Sequence, residues 1–495
     1  MSRVLPLATV LLAVSGMARG AEALPRLEWP FATVDLDVGQ SARVELPDGR
    51  SAAVKLLRLT EIRDDVRQAV REARVTVEIN GKQSTLTSAN YRLPILVGGV
   101  QVDCSVARGC VQPGKNPWAF HKDARLRLWP PGAPWIQPGT FVYPLRQRWF
   151  ASATQMANEP VFVDGGDRPD TRQPVYYHWG LDAGGAEGLV EVVAATEGVV
   201  VTAGRLTLPQ SEFPEALKPR SDVVYLRDGR GWYYRYSHLH SFDPALKPGG
   251  HVTMGQKIGL LGKEGASGGW SHLHFDITAL QPNGEYGITD AYAFYWQASY
   301  GQTPGQPRAV ARPHHLVWTN EPVTLDGSRS CGARDYRWFF SDGATAGGAM
   351  PQRRYPRSGM YSEILKVTDA AGRVDYDFAV VQVLDREHPE QLPPSIHAAY
   401  WPTLDLKPGA EVIFKVRTFR IGAHEGRERW DFGDGSPAVE TQSDGNAVPL
   451  AQNGYAITAH RYSKPGHYLV SVTRSNDRSQ AATARLHVEV GKAKD

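Results

Sequence analysis

Residues 271–276 read Ser271-His272-Leu273-His274-Phe275-Asp276, and the reading of this run decides how the remainder of the chain is understood. Side chains alternate along an extended backbone, so His272 and His274 share one face while Leu273 and Phe275 turn into a core. Two half-exposed histidines on a strand edge are one reading. A metal site is the other, and it gains weight from a second run far upstream, His178-Trp179-Gly180-Leu181-Asp182. The same parity points His178, Gly180 and Asp182 one way. An imidazole and a carboxylate then converge, with Gly180 leaving room between them, and both are good ligands for Zn²⁺. A third run, Tyr236-Ser237-His238-Leu239-His240, closes the strand-like stretch that begins at Trp232. There His238 is the candidate for chemistry and His240 a bystander. Three protein ligands with one open position is the arrangement of catalytic rather than structural zinc.

The stretches between these runs are rich in Gly and β-branched residues, with strands expected at 191–194, 198–203 and 221–226. A polar, Pro-containing insertion at 205–220 reads as a surface loop. Taken in order, H-x-G-[aliphatic]-D, Tyr-x-His-Leu, a Gly-rich turn (Gly265-Ala266-Ser267-Gly268) and His-Leu-His-Phe-[acid] resemble the lysostaphin and beta-lytic metallopeptidases. The resemblance spans about Tyr176 to Ile277. It implies one zinc per chain held by His178, Asp182 and His274, with His272 and His238 flanking the water that attacks the peptide bond. Which of these two is the general base stays open. It also implies an antiparallel β catalytic core and a substrate in the peptide stems or cross-bridges of cell-wall peptidoglycan. Ala183, His240 and the 205–220 insertion depart from the family pattern without removing a ligand, so they bear on substrate choice. Alternatives are a non-catalytic regulator or wall-binding protein on the same fold, or a secreted protease for Gly-rich proteins.

The 495 residues carry a net charge of +3 with no clustered basic stripe, which gives no case for nucleic acid. A chain this long needs several cores. Arg3, the apolar residues 4–14 and Ala21-Glu22-Ala23 form the pattern of an export signal, with cleavage expected after residue 23. No later stretch has the ~20 apolar residues needed to cross a bilayer. The chain is therefore expected in the periplasm, at the cell surface or outside. Cys104 and Cys110 lie close together, and an oxidising compartment predicts a disulfide between them, with Cys331 left as a free thiol.

The expected architecture is mainly β. A β-rich N-terminal domain at 24–142 is either a pro-region covering the metal or a targeting module. It holds an Asn80-Gly81 hairpin and one helix with Ile62, Val66, Val70 and Ala73 on a face. The zinc peptidase domain is expected at 143–300. Two segments follow, 308–386 and 393–491, and both show one order: Trp, an Asp-Gly turn, Tyr, Gly, Tyr, then a strand. In the second it is Trp430, Gly433-Asp434-Gly435, Tyr462, Gly466 and Tyr468; in the first it is Trp338, Asp342-Gly343, Tyr355, Gly359 and Tyr361. The repeat resembles polycystic-kidney-disease (PKD) type domains, which implies two immunoglobulin-like sandwiches. For these residues a core Trp and a tight turn are sufficient explanation.

Overall fold

The computed structural model describes residues 24–112, 114–161, 168–169, 172–300 and 304–491; the expected export signal lies outside them. Strands dominate and one α-helix, Tyr292–Tyr300, is present among the described residues. Four bodies follow one another along the chain, but their cores run into one another.

The N-terminal body is two four-stranded sheets packed face to face. Alternating Val75, Val77 and Ile79 meet Val54, Val102 and Leu126 in its core. Asn80 and Gly81 both adopt positive φ (48° and 77°) and join Ile79 to its partner Lys82, the two-residue hairpin their sequence calls for. The helix expected over 62–73 is instead the far end of a long hairpin, Ser51–Arg63 against Val70–Ile79. The apolar spacing at 62, 66, 70 and 73 suits a helix, but Asp64 takes the chain into a turn. Its carboxylate accepts from the backbone N–H of Val66 (2.9 Å) and Arg67 (2.6 Å) and from Arg71 Nε (2.6 Å). Side-chain acceptors of this kind compete with helical hydrogen bonds.

The expected Cys104–Cys110 disulfide is not formed; all three cysteines are free thiols. A bulge between Cys104 and Val106, then the short turn Arg108–Cys110, send the two side chains into different cores. Cys104 packs with Val102 and Leu126, and its Sγ lies 3.5 Å from Ser88 Oγ. Cys110 packs with Val70, Ala73 and Tyr177. Burial pushes the Cys104 thiol up to about 12, an inert hydrophobe rather than a reactive sulfur.

The central body is a nine-stranded sheet and a three-stranded sheet, antiparallel throughout. His272–Leu280 is a central strand, paired on one side with Leu181–Gly184 and on the other with Tyr233–Ser237. Leu273 and Phe275 face a large aromatic core. That core does not stop at residue 143. Phe31 and Trp129 from the N-terminal body lie 5.8 Å and 5.0 Å from their neighbours, Trp232 and Phe31, and Phe294 of the helix stacks on Trp232 at 5.9 Å. The 205–220 insertion is likewise not a simple surface loop, because Phe213 and Leu217 bury themselves against Val201, Val223 and Tyr225.

The last two bodies are sandwiches that reproduce the sequence repeat. Trp338 and Trp430 are fully buried, and the tyrosine pairs Tyr355–Tyr361 and Tyr462–Tyr468 sit 4.6 Å and 4.1 Å apart. The sandwiches share one continuous nine-stranded sheet, joined where Gly359 and Met360 run parallel to Ala481 and Ala482. No helix among the described residues is long and apolar enough to cross a membrane.

Candidate metal centre

Strand register brings the distant runs together. Asp182 is the direct partner of His274, and Ser237 is its partner on the opposite side. His178 lies just before the strand Leu181–Gly184, tied by two backbone hydrogen bonds to Asn158 and Glu159 (2.8 Å each). His178 Nε2, Asp182 Oδ1 and His274 Nδ1 form a nearly equilateral triangle with sides of 3.0, 2.9 and 2.9 Å. Tetrahedral zinc with bonds of about 2.0–2.1 Å needs donor separations of roughly 3.3 Å, so this triangle accepts the ion after a small outward relaxation. Among the described residues it is the one group of three or more His, Cys, Asp or Glu side chains that meets the geometry of a cation site. Gly180 is required there, because a Cβ at that position would lie 2.7 Å from Phe275 O and 2.9 Å from His274 Cε1.

The triangle is supported from behind. His274 Nε2 bonds to Asp276 Oδ2 (3.1 Å), which in turn meets Arg235 Nη1 (3.3 Å). Burial opposes a charge on Asp276, but the His274 hydrogen bond and Arg235 hold its carboxyl below the usual range. Asp182 is also buried, yet His178, His272 and His274 hold it well below that range, the ionised state a cation requires.

His272 and His238 stand beside the triangle with ring centroids 4.6 Å apart. His272 Nε2 is 3.5 Å from Asp182 Oδ2, its Nδ1 is 3.1 Å from Trp270 O, and its ring stacks on Trp270 at 3.9 Å. His238 Nδ1 is 2.6 Å from Glu264 O and 3.3 Å from Asp222 Oδ2. Each ring therefore has Nδ1 anchored, and Nε2 of His272 is turned toward Asp182 at the edge of the triangle. Burial pushes both imidazoles below their ordinary value, His272 more strongly.

The backbone explains why His238 points inward. It has φ of +67°, a left-handed conformation rare outside glycine. At that residue the chain leaves the nine-stranded sheet (Tyr233–Ser237) and enters the three-stranded one (Leu239–Phe242). Asp222 pins the corner, its carboxylate accepting from His238 N–H at 3.1 Å. The strand expected over 221–226 begins only at Val224, which frees Asp222 for this contact. His240 is exposed and takes no part in the cluster. Asp222, Trp270 and Arg235 went unnoticed in the sequence; an isolated Asp ahead of a strand carries no signal of its partner.

At the rim, Lys115 of the N-terminal body lies 4.6 Å from the rings of both Tyr176 and Trp179. Trp179 meets the edge of His274 at 6.3 Å. The five central side chains are at least nine-tenths buried.

A buried cluster of His178, Asp182 and His274, flanked by His272 and His238 in an antiparallel β-sheet, has the geometry of a candidate cation site. Residues 176–286 match the model of peptidase family M23, generally a family of metallopeptidases, and residues 305–383 and 398–490 match PKD domain models. The chain thus carries a peptidase segment of family M23 followed by two PKD domains. Among solved structures, Helicobacter pylori Csd3 is 13% identical over 55% of this chain and 81% of its own, with a TM-score of 0.21. Fibronectin(III)-like modules of Clostridium thermocellum CbhA are 8% identical over 38% of this chain and 95% of theirs, with a TM-score of 0.16. The secreted serine protease VesC from Vibrio cholerae is 9% identical over 96% and 100%, with a TM-score of 0.20.

Proposed function

We propose that this protein is an exported zinc endopeptidase that hydrolyses peptide stems or cross-bridges of bacterial peptidoglycan. The observation that carries this reading is the convergence of His178 Nε2, Asp182 Oδ1 and His274 Nδ1 from two separated segments onto one point. Zinc held there supplies Lewis acidity and a water acidic enough to react near neutral pH. His272 Nε2, beside that point and 3.5 Å from Asp182 Oδ2, would accept a proton from the attacking water and return it to the leaving amine; burial, which lowers its pKa, favours the basic form. His238 Nε2 lies on the same side, where it holds the carbonyl oxygen as negative charge develops or shares the proton transfer. Burial of all five side chains limits bulk water and strengthens these interactions. Export is supported by the Arg3–apolar–Ala21-Glu22-Ala23 pattern and by the PKD domains.

The N-terminal body reads as a structural part of the enzyme rather than a removable pro-region, because Phe31 and Trp129 complete the aromatic core behind the metal centre. The test is digestion of purified peptidoglycan with and without a chelator, followed by mass analysis. New amine ends that vanish with chelation and return with zinc are expected. Chelator-insensitive release, or new sugar ends without new amines, overturns the proposal.

A further inference from the structure

Residues 268–271 form the turn that delivers His272 to the metal centre, and the second PKD domain grips this turn directly. Arg417 Nη1 donates to Gly269 O (2.7 Å) and Asn446 Nδ2 to Gly268 O (3.2 Å). Ser271 N–H donates to the hydroxyl of Tyr455 (2.7 Å). Trp270, buried between these contacts, stacks on His272 with planes 18° apart and rests against Phe419 and His397 of the same PKD domain.

The Tyr455 contact continues as a chain. Its hydroxyl lies 2.8 Å from His397 Nδ1, His397 Nε2 is 2.9 Å from Ser152 Oγ, and Ser152 Oγ donates to Ala398 O. One assignment satisfies every group: Ser271 N–H to Tyr455, Tyr455 O–H to Nδ1, Nε2–H to Ser152, Ser152 O–H to the carbonyl. It needs a neutral His397, and burial pushes that imidazole down to about 3. The grip is itself rigid, since Arg417 is wholly buried and forms a bidentate pair with Asp444 (2.8 and 2.6 Å). Lys415 Nζ adds a bond to Glu187 O (2.6 Å). A domain hung on a linker as a binding module would show few such contacts.

We propose that Tyr455 is a positioning residue for His272, held through Ser271 and Trp270, and that the second PKD domain is a wall of the active site. The proposal rests on His272 being the proton-transferring histidine. An imidazole displaced by about 1 Å from its working position loses up to ~10²-fold in rate.

The test uses the full-length zinc-loaded protein, soluble cross-linked muropeptides as substrate, and ¹³C-histidine NMR, with the His272 signal assigned by its loss in His272→Ala. Tyr455→Phe is expected to lower kcat about 10- to 100-fold with KM within about twofold and zinc content unchanged. Its His272 Cε1–H resonance, shifted upfield by the Trp270 ring, moves toward the ordinary imidazole position. Asn446→Ala, a milder change, gives the same signs at smaller size should Tyr455→Phe not fold; His424→Ala on the exposed face of the same domain changes nothing. A raised KM with unchanged kcat, or an unmoved His272 resonance, overturns the positioning role. Wild-type protein that binds zinc but releases no amines sinks the peptidase reading instead, and the NMR arm still decides the contact.

Discussion

His274 and Asp276 lie two residues apart on one strand and bond to each other, His274 Nε2 to Asp276 Oδ2 at 3.1 Å, while His274 Nδ1 faces Asp182. A carboxylate on the outer nitrogen fixes the tautomer and orientation of a metal-binding imidazole and makes it a better donor. Asp276→Ala is therefore expected to weaken zinc binding about 10- to 100-fold. Competition with a chromogenic chelator measures this, and activity returns at excess zinc. Unchanged zinc affinity would remove Asp276 from the centre.

The two kinds of histidine separate by metal content. His178→Ala opens the triangle and is expected to lose both zinc and activity. His272→Ala keeps all three donor atoms, so zinc stays at one per chain while turnover falls ~10²- to 10⁴-fold, the usual worth of a positioned acid–base group. Metal analysis beside peptide release distinguishes them. Loss of zinc from His272→Ala would make His272 a ligand.

The convergence of His178, Asp182 and His274 was legible because period-two alternation survives in sequence: His272/His274 and His178/Asp182 need only extended backbone to face one way. Gly180 was legible for the same reason. What sequence does not carry is the third dimension. Asp222 meets His238 only because the chain switches sheets at a residue with positive φ, and no residue type announces that corner. The helix expected over 62–73 failed because one side chain, Asp64, outweighs a coincidental 3.6-residue spacing. The disulfide failed because nearness in sequence says nothing about which core a side chain enters after a bulge. The two PKD segments were visible as a sequence repeat, whereas the shared aromatic core and the PKD grip on residues 268–271 arise from packing alone.

Acid–base behaviour outside the centre gives an independent check. Asp290 is buried, and burial, opposed by Arg127 but aided by Asp103, pushes its carboxyl up to about 6. The unfolded chain titrates near 4, so between about pH 4 and 6 the folded state holds a proton that the unfolded state has lost. Stability from this group therefore falls as pH rises through that window and stays reduced above it. Asp290→Asn keeps the acceptor for Tyr292 N–H (3.1 Å) and removes the charge. It is expected to exceed the wild type in stability by on the order of 3 kcal/mol at pH 7.5 and to match it near pH 4. Denaturant melts at pH 4, 5.5 and 7.5 give the difference; one that does not change with pH refutes the assignment.

Gly180 ties the fold to the chemistry most tightly, and its replacement should damage the second before the first. The Cβ of Gly180→Ala has two neighbours too close to keep, the carbonyl of Phe275 at 2.7 Å and the His274 ring at 2.9 Å. Phe275 O belongs to a strand paired on both sides and cannot retreat, whereas the His274 ring can swing by breaking its bonds to Asp182 and Asp276. Overpacking of this size costs about 1–3 kcal/mol, well within what a domain of this size tolerates. The protein is accordingly expected to fold with a modestly lowered Tm, to lose zinc at stoichiometric metal, and to release no amines from peptidoglycan. A variant with full zinc and full turnover would mean that the imidazole of His274 does not sit where the triangle requires it.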